Sequence, residues 1–573
     1  MKHGIKHYNV NKAIGFIFST LITGIGMGVT VSLVASLLVT SVKNLSDYRL
    51  WMGGELLHSP FGGGSFVPML WLIGAALLLW AAKRFFGVAR WHGPADSIYA
   101  AHRLDNEIDV RTGIGSTLAA LISMGGGAPV GQYGPLVHFG ATLGSFLRQV
   151  FGNKTIDVDV FIGCGVAAAI SAGFHAPIAG IIFAHEAILR HFSFRALTPI
   201  AISSVTSVWF ATAVFGSEPT FNLASGAPDL LPMVPVLLGS GLLFGLVAIL
   251  FMTSLLYFAK IASGSRFGAL LLSLSAAITC GIIAIFVPEV LGLGSVEINN
   301  IINGGYGVSF LLILFVLKLF ATSLCIGFGL FGGVFSPAAF IGAAAGGFLG
   351  KLMALGGFAT APALLPIAGF AAVTAAVVGA PISVVLVVFE TTQSYEFAVA
   401  AMLAAVVSSF FTSLVFGHSF FDEQLLRRGI DLSQGRGNLE LMSQSIGSVI
   451  SNNFLAFGSE VKVKESVDDL VKNGLGEGYC IGDRKEFLGK VSLPLLLKAP
   501  KNDRILEHLM VDPVKLNHDA SVMQAMEVAS KFIGETIPVV DQTTNKLVGV
   551  VSEGDIFEIY LATQSRIRDL EHG

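Results

Sequence analysis

The feature that most restricts this chain is a repeat broken by helix-interrupting residues. Residues Gly125–Leu147, GGGAPVGQYGPLVHFGATLGSFL, align without a gap on Gly327–Leu349, GFGLFGGVFSPAAFIGAAAGGFL, at an offset of 202 with nine of 23 positions identical. The identities include Gly131/Gly333, Pro135/Pro337 and Gly140/Gly342. A second pair, Gly165–Glu186 (GVAAAISAGFHAPIAGIIFAHE) and Gly369–Glu390 (GFAAVTAAVVGAPISVVLVVFE), follows at an offset of 204 with eight of 22 positions identical. Each member ends on a lone glutamate nine residues after its proline, Pro177 to Glu186 and Pro381 to Glu390. Small residues are common in membrane helices, so one such match could be composition alone. Two in the same order at nearly the same offset point to an internal duplication. Duplicated membrane proteins often build their substrate site at the repeat interface from broken helices. The alignment itself leaves open whether the repeats are parallel or inverted.

A membrane setting follows from where the charges lie. Residues 1–440 hold 40 of the 73 charged side chains and residues 441–573 hold 33, with only ten between 201 and 400. Soluble domains carry about 25% charged residues, so an apolar membrane body is followed by a soluble tail. Lys2, Lys6 and Lys12 precede an apolar run from Ala13 to Val39. That run is too long for the apolar core of a signal peptide, so it reads as a retained first helix. The basic start places the N-terminus in the cytoplasm, and the charged tail should share that side. The expected domains are a cytoplasmic start over 1–12, a membrane domain over 13–430 with halves near 13–220 and 221–430, a linker over 431–445, and the tail.

Five glycines and two prolines fall within Gly125–Pro135. Non-helical backbone at membrane depth must be buried in protein or line a watery cavity. In Gly131–Pro135 and Gly333–Pro337 the proline suits the first turn of a helix and the glycine allows close backbone approach. Each segment therefore aims a helix N-terminus inward. Such an end carries unpaired N–H donors and about half a positive charge, which attracts anions. A buried lysine would cost about 2.5–3.5 kcal/mol and bind more tightly, whereas conduction needs an ion held weakly enough to leave. The competing reading is that the breaks serve only tight helix packing.

Several classes are disfavoured. A net charge of −3 without a basic tract argues against a nucleic-acid partner. Cys164, Cys280, Cys325 and Cys480 are scattered, indicating neither a disulfide framework nor a zinc site, so they read as small buried hydrophobes. No metal is expected and no cofactor is required. No nucleophile, base or metal-ligand constellation has convincing spacing, so an enzyme is not expected.

The arrangement resembles the CLC family of chloride channels and proton-coupled chloride transporters across roughly residues 12–430. Gly333-Val334-Phe335-Ser336-Pro337 looks like the family's G-x-F-x-P motif, and Gly131-Gln132-Tyr133-Gly134-Pro135 looks like its G-[KR]-E-G-P motif. The resemblance implies an all-α polytopic fold with inverted repeats and re-entrant helices, assembled as a homodimer with one pore per subunit. It places chloride at Gly131, Gln132, Tyr133, Gly134, Gly333, Val334, Phe335 and Ser336. It also puts Phe421 where a tyrosine hydroxyl usually meets the central ion.

The departures from the family pattern bear on mechanism. Tyr133 stands where transporters have the glutamate that competes with chloride and carries protons, and Ala187 stands where they have an internal glutamate. Arg90-Trp91-His92-Gly93-Pro94 is the best match to G-S-G-I-P and lacks the serine. A phenol, with an ordinary pKa of about 10, is neutral at neutral pH and cannot mimic an anion. The expectation is a passive anion channel with Tyr133 and Phe421 as gate candidates, Tyr133 being alternatively an amphipathic aromatic packed at the pore rim. The second reading is an unorthodox antiporter. It draws on His92, His138, His175, His185 and Glu186, because histidine titrates near neutrality and an ionisable residue inside a membrane is a functional hypothesis by default. The word chloride comes from the resemblance; the helix termini indicate only an anion. A bacterial inner membrane is the expected location.

The tail reads as alternating strands and helices. Ile537–Asp541, Lys546–Val551 and a helix beginning near Ser552 with Asp555 in capping spacing form a strand, strand, helix unit. This resembles a CBS module over 505–565, paired with a degenerate copy over 446–498 that contains Gly489–Leu495. In such pairs Ser552 and Asp555 would contact the ribose of an adenine nucleotide. Leu495 occupies the acidic position of the first copy, so a structural or dimerising tail is preferred to a nucleotide sensor.

Overall fold

The computed structural model describes residues 10–55, 65–103, 105–151, 158–216, 221, 229–433, 437, 440–442, 444–510 and 513–572. The expected cytoplasmic start thus lies largely outside the described residues. The chain divides into two units, Met1–Gly429 and Ile430–Gly573.

The first unit is all helical. Its helices are α1 (Val10–Glu55), α2 (Val67–Phe86), α3 (Pro94–His102), α4 (Val110–Gly125), α5 (Tyr133–Phe151), α6 (Val158–Phe174), α7 (Pro177–Phe183), α8 (Phe194–Phe215) and α9 (Val234–Gly264). Then come α10 (Ala269–Phe286), α11 (Ser295–Ile302), α12 (Val308–Gly327), α13 (Phe335–Leu355), α14 (Ala361–Val378), α15 (Pro381–Thr392), α16 (Tyr395–Val415) and α17 (Phe420–Leu426). Nine helices among the described residues are long and apolar enough to cross a membrane. Helix α1 outruns the expected Ala13–Val39 segment because neither proline nor a glycine pair interrupts it before Gly53-Gly54.

The duplication is visible in the packing. Helix α5 packs on α6 as α13 packs on α14. A Cβ placed on Gly165 would lie 1.9 Å from the carbonyl oxygen of Gly140, and one on the equivalent Gly369 would lie 2.2 Å from that of Gly342. Both pairs therefore bring backbone against backbone, which only glycine permits.

The halves are inverted. The Gly131 N–H donates to the Gly333 carbonyl at 2.7 Å and the Gly333 N–H donates to the Gly131 carbonyl at 2.6 Å, forming an antiparallel bridge. Equivalent residues exchanging reciprocal bonds define a local two-fold axis between the repeats, the relation found in inverted-topology transporters.

The second unit holds two similar three-stranded sheets. One contains β1 (Ala456–Gly458), β2 (Glu477–Ile481) and β3 (Phe487–Ser492), with helices α18 (Val463–Asn473) and α19 (Leu493–Leu496). The other contains β4 (Leu516–Asn517), β5 (Ile537–Val540) and β6 (Leu547–Val551), with helices α20 (Val522–Ala529) and α21 (Glu553–His572). In each sheet the first pair is parallel and the second antiparallel, with a bulge at Cys480/Ile481 and at Val539/Val540. The copies meet through reciprocal bonds, Phe487 N–H to the Asn545 carbonyl and Leu547 N–H to the Lys485 carbonyl.

Candidate anion-binding site

The N-termini of α5 and α13 meet at the Gly131–Gly333 bridge. The helical bonding begins with Leu136 N–H to the Gln132 carbonyl and Ala338 N–H to the Val334 carbonyl. The amides of Tyr133, Gly134, Phe335 and Ser336 consequently have no backbone acceptor among the described residues, as expected of first-turn donors. Gln132 Oε1 and Ser336 Oγ are buried beside them without partners. Val334 is the N-cap of α13 and has no side chain able to fill the donors. The close approach is tight, since a Cβ on Gly333 would lie 2.8 Å from the Gly134 nitrogen. The sequence-expected residues from 131 to 134 and from 333 to 336 are therefore brought together around two positive helix ends.

Aromatic rings cover this point. Tyr133 stacks on Phe174 with centroids 3.6 Å apart and planes 12° from parallel. It meets Phe335 edge-on at 5.4 Å, and Phe174 lies 5.1 Å from Phe335. The Tyr133 hydroxyl reaches the Gly173 carbonyl at 3.5 Å, too long for a strong bond. Phe174 escaped the sequence reading. Its one signal was a large aromatic placed just before His175-Ala176-Pro177, at the end of α6 in the second repeated segment.

Phe421 sits apart from that cluster. It is buried on α17, a helix packed on α3 and α14. Its ring contact is with Phe420 at 6.1 Å, and it makes none with Tyr133, Phe174 or Phe335 among the described residues. Trp91, in place of the serine, lies 6.3 Å from Phe331, while the His92 N–H donates to Ser116 Oγ.

Glu186 and Glu390 have a structural use. Glu186 accepts from Ile382 N–H at 3.0 Å and Ser383 N–H at 2.7 Å, capping α15. Glu390 accepts from Ile178 N–H at 3.0 Å and Ala179 N–H at 2.7 Å, capping α7. Each half thus supplies the carboxylate that satisfies the other half's helix end. Glu186 lies in a π-helical segment, Ala184–Leu189. His185 in the same segment is fully buried, with Nδ1 bonded to the His191 carbonyl at 2.9 Å, its ring stacked on Phe192 and Nε2 unpartnered.

Ser552 and Asp555 occupy each other. Ser552 Oγ donates to the Asp555 carboxylate at 2.6 Å and accepts from the Asp555 N–H at 3.2 Å, a reciprocal cap at the start of α21. Leu495 is half exposed on α19. Elsewhere in this unit Lys490 is buried against Glu477 at 2.6 Å and over the Phe532 ring at 4.7 Å. Burial pushes the Tyr479 phenol upward in pKa, and its hydroxyl pairs with Thr536.

Inverted repeats whose broken helices aim N-termini at a shared point define a membrane anion-transport protein. The chain belongs to the voltage gated chloride channel family, the CLC proteins, whose profile matches residues 74–413; a CBS domain profile matches residues 506–562. It is 29% identical over 431 residues to the H+/Cl− exchange transporter ClcA of Vibrio cholerae, covering 72% of this chain and 90% of that protein. It is 30% identical over 325 residues to a ClcB-like chloride channel protein of Ralstonia nicotianae, covering 55% of this chain and 75% of that one. Its fold matches a slow cyanobacterial Cl−/H+ antiporter with a TM-score of 0.63 at 21% identity, covering 71% of this chain and 97% of that one. It also matches a eukaryotic CLC transporter with a TM-score of 0.60 at 17% identity, covering 94% of this chain and 98% of that one.

Proposed function

We propose that this protein conducts chloride passively, with helix N-termini holding the ion and Tyr133 closing the path. The observation that carries the reading is the stack of Tyr133 on Phe174, beside Phe335, over the free amides of α5 and α13. A neutral phenol held by ring packing stands where a carboxylate would compete with the ion and load a proton. Ala187 likewise offers no proton site.

A second reading, proton-coupled exchange, is favoured by the relatives, among which ClcA is named an H+/Cl− exchanger. It would need carriers other than the usual glutamates. Glu186 is occupied as a cap, so the buried histidines with unpartnered nitrogens, His138 and His185, are the groups available to it.

The reading includes a homodimer in a bacterial inner membrane with both termini cytoplasmic. The equivalent residues Ile178 and Ile382 are exposed on α7 and α15 and offer an apolar face to a second copy. The tail acts structurally, because Ser552 and Asp555 are engaged with each other; binding of ATP or AMP by the full chain, lost in Asp555→Ala, would reverse that assignment.

The direct test is chloride efflux from liposomes. Tyr133→Ala should raise the rate about tenfold, the rate equivalent of the ~1.4 kcal/mol available from ring stacking. An unchanged rate and selectivity would remove the gating role, and no chloride efflux from the wild type would remove the conduction itself.

A further inference from the structure

A pair of histidines beside α5 is left unused by the anion path as described. His138 lies five residues into α5 from Tyr133 and is fully buried. Its Nδ1 lies 2.9 Å from Ser97 Oγ on α3, and its Nε2 has no partner. The His92 ring stands 5.7 Å away, at 73° to it. His92 is half-buried just before α3 and its backbone is pinned by Ser116 of α4. Beside it Asp96 binds Arg90 through two contacts and Arg428 through one at 2.8 Å. The pair thus runs from a polar edge, where Arg428 follows α17, to a buried nitrogen on the anion-path helix.

We propose that His92 and His138 together bind one proton whose charge strengthens anion binding at the N-terminus of α5. The proposal rests on reading that N-terminus as the anion site. The chemistry is a single protonation: a proton from water adds to a free imidazole nitrogen lone pair, and no other bond forms or breaks. Ser97 holds one nitrogen of His138, and the other is buried without a partner. Five residues of helix span about 7 Å, close enough for a fixed positive charge to raise anion affinity on the order of tenfold. The charged groups that act on the pair are Arg90 ahead of α3, Asp96 in its first turn, Arg428 beyond α17 and Asp109 at the N-cap of α4. Helices α1, α6 and α13, which also pack on α5, add no charged group acting on His138 among the described residues. A neutral imidazole that becomes charged in this setting changes the field on the ion without a carboxylate.

The test is the chloride dependence of efflux from liposomes holding the full-length protein, followed between about pH 7.5 and 4. The chloride concentration that half-saturates wild-type efflux should fall about tenfold on acidification. His138→Gln should flatten the profile, and His92→Asn, at a half-buried position, should flatten or displace it. His518→Gln in the second unit should keep the wild-type profile. A pH-independent wild type, or a wild-type slope retained in both His138→Gln and His92→Asn, would overturn the proposal while leaving the anion path standing. Absence of chloride efflux at every pH would instead overturn the path, and the proposal with it.

Discussion

The two halves of the membrane unit share a skeleton and differ where chemistry is expected. Their glycine contacts and their glutamate caps agree to within a few tenths of an ångström. Three differences fall in the first half. Tyr133 opens α5 where Phe335 opens α13. His175, with φ 55°, takes the left-handed position held by Gly379, with φ 77°. The third lies after Glu186. Helix α7 passes into a π segment that ends in the left-handed Arg190, whereas α15 stays regular and ends at the left-handed Gln393. The offset there is 203, not 204, so the first half carries one extra residue, the usual origin of a π-bulge. Such bulges and strained residues gather at functional sites. The second half preserves the frame, and the departures from it fall in the first half, around Tyr133 and after Glu186.

The largest expected effect tests the shared frame. Gly165→Ala and Gly369→Ala should each destabilise the protein by about 3 kcal/mol, because the new methyl meets a carbonyl oxygen across the helix pair. Thermal unfolding in detergent would show this as two similar losses; a mild effect in one half would break the equivalence.

Next come the exchanged caps. Glu186→Gln and Glu390→Gln should each cost about 1.5 kcal/mol by removing charge from a helix N-terminus. Equal shifts in melting temperature are the expected outcome. A far greater loss of transport than of stability in Glu186→Gln alone would give that residue a part in proton movement.

The smallest expected effect concerns the left-handed turn that follows Phe174. His175→Gly should stabilise the fold by about 0.5 kcal/mol, since relief of the strained backbone slightly exceeds the entropy cost of glycine. Gly379→Ala should destabilise it, because the Cβ would lie 2.7 Å from Ser419 Cβ. Opposite signs sharpen the contrast between the halves; equal signs would remove it.

Much of this was legible in the chain. The repeat offsets located α5 against α13 and α7 against α15, and the glycine–proline breaks marked the helix ends that hold the free amides. The Ile537–Asp555 pattern gave the second sheet and its capped helix. What was illegible depends on contacts between elements far apart in the chain or on a residue count the match did not reach. Glu186 and Glu390 were visible as lone acids, but their partners lie about 200 positions away and leave no local periodicity. Phe174 looked like one more apolar residue, because only the packing of α6 on α5 brings it to Tyr133. The extra residue of the π segment was hidden because the gapless match ended at Glu186.

Reversal potential in a planar bilayer separates conduction without proton coupling from coupled exchange. Under a fixed chloride gradient, the reversal should sit at the chloride equilibrium value whether or not an opposing pH gradient is imposed. A reversal that moves with the pH gradient would contradict it and establish coupled exchange.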